Sequence, residues 1–272
     1  MSQSNLIIAG PPKTGTTSIF DWLAQHPDVC EASKKETGFF SDAISPANRS
    51  CNFNTHGIEA YIDLFHTLTD EKVLLEATPE YIYTKTAINN IPRLFKKKLV
   101  LFIYRDPVDR IVSEYKFHTY KTKKFSGSLK EFLDRDVIKN KIDFAPFIQK
   151  WITATNDIRI IEFDDLKKHP KKIMKRLAKE LEISVEFYEN FDFQVRNESL
   201  ALRNKWLHDV SLKFSKIIPQ NLKNTLSPFY FKFNASKIPD LSKEDLKLKE
   251  ALKIQFQSHR TDFLKMAEPY LL

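Results

Sequence analysis

The chain has 272 residues, with 43 lysines and arginines against 35 aspartates and glutamates, a formal net charge of +8. Its 42% hydrophobic and 29% charged residues and its five glycines place it among globular proteins and exclude disordered and collagen-like chains. No apolar run approaches the roughly 18 residues of a membrane-spanning helix, the start lacks a basic and apolar leader, and two cysteines build no disulfide framework, so a cytoplasmic protein is expected. The positive excess points to anionic ligands. Lysine runs such as Lys96-Lys97-Lys98 and Lys121 to Lys124 read first as solvated faces, with a rim guiding a polyanion as the alternative. Zinc-finger spacing and aromatic ribonucleoprotein motifs are absent, so nucleic acid is not an expected partner.

In chain order, Asn5 to Ala9 reads as a buried strand and Thr16 to Gln25 as a helix with Ile19, Phe20 and Leu23 on one face. Ile58 to Phe65 reads as helical and Val73 to Ala77 as a strand. Leu99 to Tyr104 is apolar at almost every position, the pattern of a central strand buried on both faces. Pro107 then opens a helix at its first turn, where a missing N–H costs nothing. Ile158 to Glu162 is a further strand, followed by a basic helix with its main body from Pro170 to Leu181. Beyond about Phe193 the strand pattern fades. Ser199 to Lys216 and Lys243 to Met266 read as helices joined by the aromatic segment Phe229 to Phe233. The alternation predicts an α/β fold, P-loop-like, with three α/β/α layers around a central parallel sheet and a helical C-terminal extension. One domain is expected over residues 1–272, its core near 5–185 and the extension near 193–272.

The sharpest local feature is Gly10-Pro11-Pro12-Lys13-Thr14-Gly15-Thr16-Thr17 between the first strand and the first helix. Such a loop turns backbone N–H groups toward one point, and the helix N-terminus adds partial positive charge there, a geometry that suits a phosphate or sulfonate. Lys13 adds a mobile cation. An ordinary strand–helix turn, with Thr14 or Thr16 as N-cap, is the plainer alternative. The nucleotide triphosphatase loop places its lysine directly after the second glycine. Here the lysine stands two residues before Gly15 and Thr16 follows it.

A second block, Tyr104-Arg105-Asp106-Pro107-Val108-Asp109-Arg110-Ile111-Val112-Ser113-Glu114-Tyr115, puts an arginine at the end of a central strand, where α/β sheets bind ligands. Ser113 lies on the following helix, and the pair offers a guanidinium fork and a hydroxyl to a phosphate. A structural Arg105–Asp106 ion pair and a solvent-facing Ser113 are the alternatives.

Together with the displaced lysine, this block resembles sulfotransferases that use 3′-phosphoadenosine 5′-phosphosulfate (PAPS). His26-Pro27-Asp28-Val29, Lys35-Glu36-Thr37-Gly38-Phe39-Phe40 and Glu76-Ala77-Thr78-Pro79-Glu80-Tyr81 are similar to segments of the carbohydrate members, above all the heparan sulfate type. The resemblance covers about residues 5–185. It implies that Lys13, Thr14, Gly15, Thr16 and Thr17 hold the 5′-phosphosulfate and that Arg105 and Ser113 bind the 3′-phosphate. It also implies that Lys13 acts on the transferring group and Glu36 is the general base, with PAP as product and no metal. A dry pocket walled by Phe39 and Phe40 is expected beside Glu36. The chain departs from the heparan enzymes at Gly38, where they carry histidine, and at Ala77, where some carry lysine. Their basic C-terminal phosphate loop has no clear counterpart here; Arg196, Arg203 and Lys205 are its candidates.

The resemblance implies a hydroxylated acceptor, most simply a carbohydrate such as a polysaccharide or glycolipid, with a small hydroxylated metabolite as the alternative. His56, His66 and His118 are other candidate bases, His118 first among them. Two further readings differ in class: a nucleotide-dependent kinase with Asp106 as its metal-binding carboxylate, and a non-catalytic anion-binding module that needs no base.

Overall fold

Short apolar runs settle the centre of the molecule. The structure is a computed structural model that describes residues 3–65, 70–194, 200–202 and 235–272. Strand β1 (Ser4–Gly10) leads into helix α1 (Thr16–Leu23), and β2 (Val29–Glu31), α2 (Phe53–His56) and a 3-10 stretch over Ile58–Leu64 precede β3 (Val73–Ala77). A 3-10 turn (Pro79–Tyr83) and α3 (Lys85–Leu94) follow, then β4 (Lys98–Tyr104) and α4 (Pro107–Lys116), which runs into a π-helical turn over Phe117–Lys121. Next come α5 (Leu129–Leu133), α6 (Asp136–Lys139) and α7 (Ala145–Ala154). Strand β5 (Ile158–Glu162) is followed by α8 (Phe163–Lys168) and α9 (Pro170–Glu180), then by β6 (Leu200–Leu202), β7 (Ala235–Lys237) and the long α10 (Lys243–Ala267).

The residues fall into two compact units. The first, Met1–Arg110 with Asp143–Arg196 and Gln257–Leu272, holds an all-parallel sheet in the order β2-β3-β1-β4-β5. Side chains alternate across it with the period of two that a strand imposes. Leu6, Ile8, Leu99, Leu101 and Ile103 face a layer with Ile19 and Leu23 of α1 and Ile173, Met174 and Leu177 of α9. Ile7, Ala9, Val100, Phe102 and Tyr104 face the other, with Ile91 of α3, Ile148 and Trp151 of α7, and Phe263 of α10. This is the three-layer α/β/α core that the sequence predicts. At the outer edge Leu272 donates its N–H to the Ile160 carbonyl at 3.0 Å, so the chain's last residues cover the edge strand β5.

The second unit is Ile111–Ile142 with Asn197–Phe256. A reciprocal capping box between Ser128 and Glu131 starts α5. The Leu129 N–H donates to Asp245 Oδ1 at 3.0 Å, tying α5 to α10. Phe125 packs edge to face against Tyr115 and Phe132, whose own rings are tilted to each other, and β6 and β7 pair antiparallel.

Several elements differ from expectation. The first helix stops at Leu23, short of the expected Gln25. Strand β2 is three residues long, too short to show a period in sequence. The basic segment after β5 is two helices, because Pro170 fits only the first turn of a new helix. Strand β6 lies inside the segment read as helix from Ser199: its partner is β7, far along the chain, and no local pattern announces a pairing of that range. The rest of that expected helix, the Phe229–Phe233 segment, His66, Arg196, Arg203 and Lys205 lie outside the described residues.

Candidate active site

Sheet order alone locates a crevice. After β1 the chain moves toward β2 and β3, and after β4 toward β5, while β1 and β4 are neighbours. Connections that part in this way leave a gap beyond the carboxyl ends of the two strands, where open α/β sheets bind ligands. The residues that follow the two strands are Pro11 to Gly15 and Arg105.

The loop after β1 is shaped by close approach. A Cβ on Gly10 would stand 2.1 Å from the Pro79 carbonyl oxygen, so only glycine lets the end of β1 pass the turn after β3. Thr14 Oγ1 donates to the Pro11 carbonyl at 2.7 Å, closing the loop on itself. The N-cap of α1 is Gly15, with no side-chain cap, and neither Thr14 nor Thr16 fills that role. The Ser18 N–H donates to the Gly15 carbonyl at 3.0 Å, while no side chain caps the helix start, where its partial positive charge lies. Thr16 is buried and Thr17 half-buried.

Arg105 joins the two strand ends. Its Nη1 donates to the Lys13 carbonyl at 2.8 Å, and its guanidinium lies 4.6 Å from the centre of the Phe163 ring on α8. Burial pushes this guanidinium below its ordinary value, while Asp109 and Asp164 hold it up. Asp106 has a separate task. Its Oδ1 accepts the N–H groups of Val108 and Asp109, each at 3.0 Å, and so caps α4. Asp106, the carboxylate that the kinase alternative would need, therefore has a capping role through Oδ1.

Glu36 stands over the neighbouring strand. Its N–H donates to the Ala77 carbonyl at the end of β3 (2.8 Å), and its carboxylate pairs with Lys35 Nζ at 2.9 Å with 61% of the side chain exposed. The expected dry pocket is not there: Phe39 and Phe40 are fully buried and pack against Phe53, Tyr61 and Tyr81 in the core. Period explains the correction, since two adjacent aromatics in a tight turn serve the core below it. Gly38 has φ 66°, and a Cβ there would meet Ser41 Oγ at 3.2 Å, so the histidine of the heparan enzymes would be strained in this turn.

Lys13 (φ 69°) and Glu36 (φ 64°) both adopt the left-handed backbone conformation, shared among described non-glycine residues with Lys123 and Glu182. Residues held there tend to cluster where function demands it.

One residue escaped the sequence reading. Glu76, in the otherwise apolar β3, is fully buried. Its Oε1 accepts from Tyr81 (2.7 Å), from Thr78 (3.0 Å) and from Thr37, and its Oε2 accepts from Tyr61 at 3.4 Å. Burial raises its carboxyl above the ordinary value against the pull of those four hydroxyls. The available signal was a glutamate in an apolar strand followed closely by Thr78 and Tyr81.

Ser113 and His118 belong to the second unit. Ser113 is half-buried on α4. His118 lies in the π-helical turn with its ring 6.0 Å from that of Phe132. His56 Nδ1 lies against its own helix start at Asn52.

With this geometry in hand, similarity to known proteins can be weighed. The profile of the family described as "Sulfotransferase domain" matches residues 3–236. A membrane-associated sulfotransferase (kil1) of Dictyostelium discoideum is 35% identical over 119 residues, 42% of this chain and 22% of that protein. Human heparan sulfate glucosamine 3-O-sulfotransferase 3B1 is 32% identical over 109 residues, 40% of this chain and 25% of its own length. Human bifunctional heparan sulfate N-deacetylase/N-sulfotransferase 1 is 27% identical over 200 residues, 66% of this chain and 22% of its own length. The matches thus span about a quarter of those relatives. Among solved structures, a sulfotransferase from Alicyclobacillus acidocaldarius superposes with TM-score 0.57 at 21% identity, over 79% of this chain and 93% of that one, a likeness of fold. A profile match that takes in the whole parallel sheet, the loop after β1 and the Arg105 strand end leaves one conclusion: this chain belongs to the sulfotransferase domain family.

Proposed function

We propose that the chain transfers the sulfonate of PAPS to a hydroxyl of a carbohydrate acceptor. The observation that carries this reading is the pairing at the β1/β4 crevice: an α1 N-terminus without a side-chain cap beside Lys13, whose carbonyl is held by Arg105. That donor set suits a dianionic group better than a neutral one. Lys13 and the Gly15 to Thr17 amides would hold the 5′-phosphosulfate, and Arg105 the 3′-phosphate. When bound, the donor supplies a sulfonate on a phosphate leaving group, so that the acceptor O–S bond forms as the S–O bond to that phosphate breaks. Glu36 takes the acceptor hydroxyl's proton, and its exposed carboxylate suits a partner that arrives from solvent. Lys13 and the loop amides stabilise the charge that collects on the leaving oxygen.

The heparan-directed names of two relatives and the +8 charge favour an anionic carbohydrate over a small metabolite. The deciding experiment offers purified protein PAPS, or ATP with and without Mg²⁺, against oligosaccharides and a simple phenol. Sulfonated oligosaccharide from PAPS alone is expected. Glu36→Gln should retain nucleotide binding and lose about 10²–10⁴-fold in rate. Full activity in Glu36→Gln with a dead His118→Ala would move the base to the histidine, and transfer from ATP would overturn the whole reading.

A further inference from the structure

Glu76 is out of reach of any acceptor, yet it is joined to the Glu36 turn by three hydroxyls. The N–H of Gly38 donates to Thr78 Oγ1 at 3.2 Å, that of Phe39 to Thr37 Oγ1 at 3.2 Å, and that of Phe40 to the Tyr81 hydroxyl at 2.9 Å. An amide N–H can only donate, so each hydroxyl oxygen must accept, and its own proton must go elsewhere. All three protons find the same atom, Glu76 Oε1. Three consecutive amides of one turn are thus oriented by one buried oxygen through three side chains. Two neighbouring contacts lock the turn to the sheet edge: the Glu36 N–H on the Ala77 carbonyl, and Pro79 against Gly10 at the start of the phosphate loop.

We propose that Glu76 is a positioning residue for sulfonate transfer, its carboxylate holding the Thr37, Thr78 and Tyr81 hydroxyls so that Glu36 is presented in its left-handed conformation above the end of β3. This rests on the reading of Glu36 as the base. The arrangement explains why a carboxylate is retained in an otherwise apolar strand. An alanine or leucine at 76 would leave four buried hydroxyl protons, those of Thr37, Tyr61, Thr78 and Tyr81, without this acceptor, and each buried polar group left so is costly. It also explains how an exposed loop glutamate keeps one orientation: its backbone is fixed from below, where water does not compete.

The test removes one hydroxyl without changing shape. Thr37→Val should lower kcat about 10- to 100-fold, the range expected for a small misplacement of a reacting group. PAP affinity should change less than twofold, and Thr37→Ser should restore kcat to within about threefold of the parent. A double-mutant cycle then asks through which residue Thr37 acts. On a Glu36→Gln background, Thr37→Val should cost less than a further twofold, because no base remains to be displaced. Three results overturn the proposal. One is Thr37→Val with parental kcat, which leaves the Glu36 reading standing. Another is an equal loss on both backgrounds, which marks a general structural role. The third is full activity of Glu36→Gln, which removes the base reading and the proposal with it. A melting temperature for each variant separates loss of fold from loss of position.

Discussion

Two turns meet at the carboxyl edge of the sheet, and they are built on opposite principles. The loop after β1 is held by backbone: a glycine that tolerates close approach, a threonine folded onto its own loop, and an arginine on a main-chain carbonyl. Its helix-end amides face outward without a side-chain cap. In the turn over Gly38 to Phe40, three successive amides are each taken by a hydroxyl backed by a buried carboxylate. On the proposed reading the first turn would keep donors for a ligand, whereas the second uses its own to fix the backbone beside Glu36. Binding an anion needs unsatisfied N–H groups, whereas aiming a base needs satisfied ones.

The largest effect expected from breaking this contrast lies in the first turn. Lys13→Ala should lower kcat about 10²–10³-fold, as loss of a single donor to developing charge does elsewhere, while PAP affinity falls by much less. A turnover number equal to the parent's would remove Lys13 from the transferring group. Gly10→Ala tests the same turn through shape. Its new methyl collides with backbone at Pro79, and the loss of folding stability should be on the order of 3 kcal/mol, read from denaturant midpoints. A variant as stable as the parent would show that β1 and the β3 turn can separate freely.

Arg105→Ala should weaken binding of a 3′-phosphorylated nucleotide by roughly 1.5–3 kcal/mol relative to its analogue without that phosphate. Calorimetry with both ligands decides the matter. Equal losses would assign Arg105 to the Lys13 carbonyl and not to the 3′-phosphate.

The smallest effect belongs to the second turn and depends on pH. Because burial raises the Glu76 carboxyl in the folded protein, the folded state holds that proton at pH values where the unfolded chain has released it. Raising the pH from the ordinary carboxylate range through the folded value therefore withdraws stability from the parent. Glu76→Gln carries no such proton, and its amide oxygen can replace Oε1 while its NH₂ faces Tyr61. Its stability relative to the parent should climb across that window and then level off. Unfolding curves that stay parallel at every pH would show that Glu76 titrates alike in both states.

How far each turn could be read in advance follows from the same contrast. The strand–loop–helix junction after β1 was legible because its parts are contiguous: strand, glycines, lysine and helix fall within one short stretch, and Arg105 is marked by the apolar strand before it. The second turn was half legible. Glu36 stood out by resemblance, but its neighbours Phe39 and Phe40 were misplaced at the site, since sequence cannot say whether two adjacent rings face a ligand or a core.

Local sequence by itself determined the strands β1, β3, β4 and β5, because short runs of mostly apolar, mostly buried residues stand out from their surroundings. Tertiary structure alone decided the roles of Arg105 as the tie to Lys13 and of Glu76 as the acceptor for four hydroxyls. The physical reason is range. The carboxylate at 76 meets Thr37, Tyr61, Thr78 and Tyr81 because β3 lies beside β1 with the Glu36 turn folded over its end. A hydrogen bond between groups so far apart in the chain leaves no periodicity for the sequence to show.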